Sequence, residues 1–312
     1  MQSASDNLLR YRPWRGTYRA PIWGSWAMAR FSLVQLFRRK LFWGLYALAL
    51  MIFFFFFYGQ YIIVWIQLLT EQQSVYFGGV PVKINDITKF LDFFKLNGSG
   101  QTFANFFWFQ GYIVMIVLAL AGAVLIGNDF QYGSLPYYLS KPIGRRHYLL
   151  GKCLGIGLFI NLLTTVPALL LYIQAGLLYD WEVYYTDHVR EFFGILGYGL
   201  ALTVTLSLLL VCTAVAVRKT IPLIMIWTGL FVFTKNLANM LVDGAGLDVR
   251  FRLVDLWNNL YLVGLACLDV DRDTIRPVKQ PEYWEAFLVV GLICAGCLLY
   301  LRRRVQAVEV IG

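Results

Sequence analysis

The chain has 312 residues, of which 59% are hydrophobic and 17% aromatic, with a mean hydropathy of +0.62. A soluble domain of this size needs more polar cover, so the composition excludes an ordinary soluble protein and makes a lipid bilayer the natural solvent. The net charge of +9 follows the topology described below, so no nucleic-acid partner is expected.

Residues 1–20 are Arg-rich, without an apolar period, and read as irregular. No apolar core with a small-residue cleavage site lies near the start, so no cleavable signal peptide is expected. Pro21 can open a helix. After it, apolar residues recur at helical spacing: Trp23, Ala27, Phe31 and Val34 on one line, Trp26, Leu33 and Phe37 on the next. With Arg30, Arg38, Arg39 and Lys40 supplying base, this predicts an amphipathic helix along the inner membrane surface, within a cytoplasmic segment 1–40.

A six-helix membrane domain is predicted over 41–301. Each apolar segment is long enough to cross a hydrocarbon core of ~30 Å, which takes about 20 helical residues. Lipid offers no partners for backbone N–H and C=O groups, so the spans must be helical, and the short alternating segments of a membrane barrel are absent. The first span, 41–69, carries Phe53 to Phe57 in a row, covering every face, and is long enough to tilt or project. An outer loop 70–102 follows, with turns at Gly78-Gly79 and Asn97-Gly98 and a short surface helix predicted from Ile87 to Leu96. The second span covers 103–126, and a cytoplasmic loop 127–152 leads into the third, 151–178. In that span Asn161, Thr164, Thr165 and Pro167 are expected at a helix–helix interface, with a kink at the proline.

After an outer loop 179–191, the fourth span (192–217) and the fifth (221–241) form a hairpin through the inner turn Arg218-Lys219-Thr220. The outer segment 242–283 contains an apolar stretch, Leu253 to Leu268, too short for a comfortable crossing and interrupted by Asp255, Asn258 and Asn259. It is expected to dip into the outer leaflet and return. The sixth span, 284–301, runs into a basic tail, 302–312. The fold class is therefore an all-α membrane protein: six transmembrane helices, an N-terminal amphipathic interfacial helix, and an outer re-entrant helical segment between helices five and six.

Charge sets the orientation. With the N-terminus inside, the inner segments hold 17 Lys or Arg against three acids, Asp6, Asp129 and Glu309. The outer segments hold 9 bases and 15 acids. This bias predicts a multi-pass membrane protein with both termini in the cytoplasm, its inner face suited to anionic lipids.

Catalytic and metal chemistry find little support. The two histidines, His147 and His188, are expected on opposite sides of the membrane. Asp269, Asp271 and Asp273 read as a solvated acidic turn rather than an enzyme's carboxylate cluster. Cys294 and Cys297 share a helix face, but no His, Met or third Cys is near in sequence. Beside Gly291 and Gly296 they read as small residues allowing close helix packing, and no metal site is expected. Leu150-Gly151-Lys152-Cys153 lacks the earlier glycine and the Ser or Thr of a nucleotide-binding loop, so the chain is not expected to hydrolyse ATP. Lys235, within the fifth span near Asn236 and Asn239, is an intramembrane ionisable group and hence a candidate for a substrate path; a lysine snorkelling to the outer headgroups is the alternative. Lys235 and Asn239 are the path candidates.

The cytoplasmic loop carries the strongest pattern. Asp129 suits a helix start, and Phe130, Leu135, Tyr138 and Leu139 offer an apolar face. Pro142 ends that helix, Gly144 frees the turn, and Arg145, Arg146 and Lys152 can meet headgroups or an acidic partner. Asp129, Gly133-Ser134-Leu135, Ser140-Lys141-Pro142-Ile143 with Arg145, and Tyr148-Leu149-Leu150-Gly151-Lys152 together resemble the ABC-2 family of ABC-transporter permeases, in which the acidic position is more often Glu.

The resemblance implies one half of a transmembrane dimer, a second copy or a paralogue being the other half. It implies no cofactor on this chain, with ATP and Mg bound by separate ABC ATPase subunits. Residues 129–146 would form the coupling helix seated in an ATPase groove, with Asp129, Gly133, Ser134, Leu135, Lys141, Pro142, Arg145 and Arg146 as the contact set. The second and fifth spans would line the path. Members of the family mostly export lipids, polysaccharides, antibiotics or other small molecules. An ATPase-driven anchor that moves an outer partner without transport is the alternative.

Overall fold

The computed structural model describes residues 21–70, 76–77, 80–81, 95–122, 145–217, 219–272 and 278–304. Helix α1 (Pro21–Phe37) is followed by α2 (Lys40–Thr70). Two-residue strands β1 (Tyr76–Phe77) and β2 (Val80–Pro81) pair antiparallel. Then come α3 (Gly100–Gly122), α4 (Arg145–Leu163), α5 (Thr165–Leu178), α6 (Trp181–Asp187) and α7 (Val189–Val217). The chain continues through α8 (Thr220–Thr228), a π turn (Gly229–Phe233), α9 (Thr234–Asn239) and a second π turn (Met240–Gly244). A 3-10 turn (Val249–Val254), α10 (Leu256–Cys267) and α11 (Tyr283–Arg304) complete it. Most of the predicted 87–96 helix lies outside the described residues.

Among the described residues, six helical stretches are long and apolar enough to cross a membrane. Span 1 is α2, span 2 is α3, span 3 is α4 with α5, span 4 is α7, span 5 runs from α8 to the second π turn, and span 6 is α11. Span 2 is 72% buried by residues, whereas spans 1, 5 and 6 are only 28%, 22% and 28% buried. Spans 2 to 4 are therefore the inner bundle and the other three its rim. The run Phe53 to Phe57 divides accordingly: Phe53 and Phe56 are buried, Phe54 and Phe55 exposed.

The interface of spans 3 and 4 is built on small and polar residues. Asn161 Nδ2 donates to Thr203 Oγ1 at 2.7 Å, and Thr165 Oγ1 donates to Asn161 Oδ1 at 2.6 Å. Span 3 breaks at Thr164, between α4 and α5. Pro167 has no N–H to give the carbonyl four residues back, at Leu163. Gln110 Nε2 of span 2 takes that acceptor at 2.7 Å. The kink predicted at the proline is thus closed by a neighbouring helix.

The segment predicted to dip is a buried element. Every residue from Leu256 to Leu265 is buried. Helix α10 runs antiparallel to span 2: Leu268 meets Gly100, and Trp257 packs on Gly111 so closely that a Cβ there would overlap the indole. It also packs on spans 4 and 6. The Asp255 carboxylate caps it, accepting from the N–H groups of Trp257 at 3.0 Å and Asn258 at 3.3 Å. Asn258 and Asn259, odd in an apolar run, donate to Gln280 and to the Leu253 carbonyl. After α10, Arg272 pairs with Glu282 at 2.6 Å, and its hydrogen bond holds the Glu282 carboxyl below its ordinary value.

Among the described residues, no atom lies within 4 Å of a Cβ added at Gly291 or Gly296, so the close packing expected at these glycines is not formed within the described part of the chain. Cys297 is buried, and a third cysteine distant in sequence, Cys212 of span 4, is its neighbour.

Candidate functional site

Two regions bear on function: the end where α1 meets span 3, and the cleft between spans 2 and 5.

At the first, α1 lies parallel to the opening turns of α4. The register follows from contacts of Ser25 and Met28 with Gly151, and of Ala29 and Ser32 with Gly155. Ser25 Oγ donates to the His147 carbonyl at 2.9 Å. A Cβ at Gly151 would stand 2.8 Å from both Met28 Cβ and the Ser25 carbonyl oxygen. Two glycines one turn apart thus let the helix backbones touch. The buried face of α1 is Ser25, Met28, Ala29, Ser32 and Leu36. The large apolar stripe is the other face: Trp23, Trp26, Phe31 and Val34 are exposed, in line with Arg30. Sequence reasoning found that stripe and missed the small-residue face, although Ser25, Ala29 and Ser32 already have the spacing of one.

Arg145 opens α4 directly after the predicted coupling loop. Arg146 is exposed and, with Arg302 of span 6, flanks a groove of about 680 Å³ whose floor includes Leu149, Leu208 and Leu301. Tyr148 and Lys152 of the same motif are buried, with Lys152 Nζ 5.9 Å from the centre of the Tyr148 ring. Asp129, Gly133, Ser134, Leu135, Lys141 and Pro142 lie outside the described residues.

The second region is a cavity of about 420 Å³ between span 2 (Tyr112, Met115, Ile116, Ala119, Leu120) and span 5 (from Ile224 to Asn236). Ile116 and Val232, both exposed, place it on the flank of the bundle. Lys235 Nζ donates to Tyr112 Oη at 2.7 Å and stands 4.9 and 5.6 Å from the centres of the Tyr112 and Trp108 rings. Tyr112 lies about 18 Å along span 2 from Gly100, at roughly 1.5 Å per residue. The lysine is therefore held deep along the helix rather than extended to its end. The π turn Gly229–Phe233 precedes it by one residue, and such a turn rotates the residues after it by roughly 100° relative to a regular helix.

The aromatic pair is part of a larger group. Trp108 has its ring centre 5.4, 5.9 and 4.7 Å from those of Tyr112, Trp257 and Tyr261, and Tyr112 is 6.1 Å from Trp257, joining the cavity to α10. Trp108 and Tyr112 escaped the sequence reading; their spacing on one face of span 2 was the available signal. Asn239 stands elsewhere. Its Oδ1 accepts from Arg252 Nη1 at 3.3 Å, and Arg252 Nη2 is paired with Asp243 Oδ1 at 2.6 Å. Asn236, not Asn239, shares the cavity with Lys235. Among the described residues, no group of three His, Cys, Asp or Glu side chains is placed to hold a metal ion.

No curated protein matches the chain in a sequence search. A family model described as "ABC-2 family transporter protein" matches residues 33–250, from within α1 to the 3-10 turn before α10. That match takes in spans 1 to 5 and the cleft between spans 2 and 5, and this multi-pass membrane protein belongs to the ABC-2 family, as a transmembrane permease component that is not itself catalytic.

Proposed function

We propose that the chain is the permease subunit of an ABC exporter in a prokaryotic cytoplasmic membrane, driven by a separate ATPase that binds ATP and Mg. The α1 end faces the cytoplasm, with both termini. Residues 129–146 are the coupling helix, gripped by the ATPase through Asp129, Gly133, Ser134, Leu135, Lys141, Pro142, Arg145 and Arg146. Two copies, or this chain and a paralogue, meet along spans 2 and 5, and substrate moves through the cleft that holds Lys235.

One observation carries this reading: α1 is clamped backbone to backbone on the turns of α4 that directly follow the loop. A push on the loop then moves α1 and span 3 as one body. The exposed Trp23, Trp26 and Phe31 with Arg30 suit α1 to the inner headgroup layer. In the same frame, α10 enters from the outer side and returns, with the Asp255 cap and the side-chain amides of Asn258 and Asn259 bonded within the protein. Span 5 leaves a stripe free for a second copy, with Ile221, Met225, Phe233 and Met240 all strongly exposed.

Affinity capture of the tagged chain from its native membranes tests the reading. A protein with a nucleotide-binding loop is expected to co-purify and to hydrolyse ATP faster in the complex. Asp129→Lys or Arg146→Glu is expected to lower capture about tenfold or more, as loss of a charged interface contact does. Intact capture in both variants contradicts the coupling assignment. Hydrolysis that persists in proteoliposomes without any substrate movement returns the alternative, an ATPase-driven anchor for an outer partner.

A further inference from the structure

We propose, on the basis of the permease reading above, that the cavity between spans 2 and 5 takes an anionic amphiphile: one negative headgroup at Lys235 and a slender apolar body along span 2. Three features point to this chemistry. First, a charge within a span is costly, so it persists where it is used. Among the described residues no carboxylate pairs with Lys235; the Tyr112 hydroxyl and two aromatic rings hold it instead. Second, donors converge. An ammonium carries three N–H donors, and one is given to Tyr112 Oη. The Tyr112 hydroxyl accepts that bond and keeps its own proton to donate. Third, most of the remaining lining is apolar, with Met115, Ile116, Ala119, Leu120, Phe231 and Val232 around the cavity and Thr228 and Asn236 as its further polar residues. From Tyr112 to Leu120 this wall is about 12 Å long, at roughly 1.5 Å per residue. A cationic amphiphile meets repulsion at Lys235, and a wholly polar anion leaves the apolar wall uncovered.

The purified full-length chain in nanodiscs of phosphatidylcholine, titrated with radiolabelled laurate, tests this. Saturable binding is expected, weakened roughly tenfold or more in Lys235→Met, as for a charged hydrogen bond. Lys235→Arg, which keeps the charge, is expected to bind within about threefold of the original. Laurylamine, with the same tail and the opposite charge, is expected not to compete. The proposal is overturned if Lys235→Met binds laurate as tightly as the original chain, or if laurylamine competes as well as laurate. The second comparison needs no variant, so it decides even where a substitution impairs folding. No ATPase is present in this assay. Laurate binding that depends on Lys235 with no ATPase captured from native membranes keeps the site and overturns the permease reading; the converse keeps the permease and overturns the site.

Discussion

Single residues explain how apolar helices with few polar groups reach one packing. Gly151 is the clearest: the sequence places it in a motif, but only the structure shows that the motif's glycine is where α1 touches span 3. Gly151→Val is expected to cost about 1–3 kcal/mol through overpacking and to release α1. Cysteines introduced at Ala29 and Gly155 read this out, crosslinking in the original background and failing to do so once Gly151→Val is added; unchanged crosslinking contradicts the clamp. The Pro167 kink gives a paired prediction. Gln110→Leu leaves the Leu163 carbonyl without its partner and is expected to lower stability by about 1–3 kcal/mol. Pro167→Ala in that background supplies a new N–H and is expected to recover much of the loss, measured as thermal unfolding in detergent. The kink was legible from the proline alone. Its repair was not, because nothing local connects Gln110 to a residue on another span.

Elements were legible where composition alone decides them. Twenty-odd apolar residues in a row force a helix in lipid, so all six spans could be read directly from the sequence. Faces were harder. In α1 the large apolar residues stood out as the organising stripe, yet Ser25, Ala29 and Ser32 are the packed side, because helices close on small residues when lipid solvates large ones equally well. For α10, its short length and the Asp and Asn at its start marked it as unusual, and it is buried from Leu256 to Leu265. Asp255 is worth its burial as a cap. Asp255→Ala is expected to destabilise the protein by about 1 kcal/mol and Asp255→Asn by less, since Asn also caps; equal losses in the two variants contradict a capping role. Lys235 was legible as an anomaly, whereas its partners Trp108 and Tyr112 were hidden in a span where most neighbours are also apolar or aromatic.

At the scale of the whole molecule, an inner bundle of spans 2 to 4 holds α10 at one end and carries α1 at the other, with spans 1, 5 and 6 as the rim. The charge asymmetry of the sequence predicts a direction for this body, and in the proposed reading the clamp of α1 on α4 is where it is pushed. The coupling loop is where the proposed motor must grip, so contact there tests the account most directly. A photo-crosslinking amino acid at position 135, in place of Leu135, is activated in intact cells and its adduct is identified by mass spectrometry. The account predicts one dominant adduct to a cytoplasmic protein with a nucleotide-binding loop, lost with Asp129→Lys. An adduct to a protein on the far side of the membrane, or to lipid alone, contradicts it.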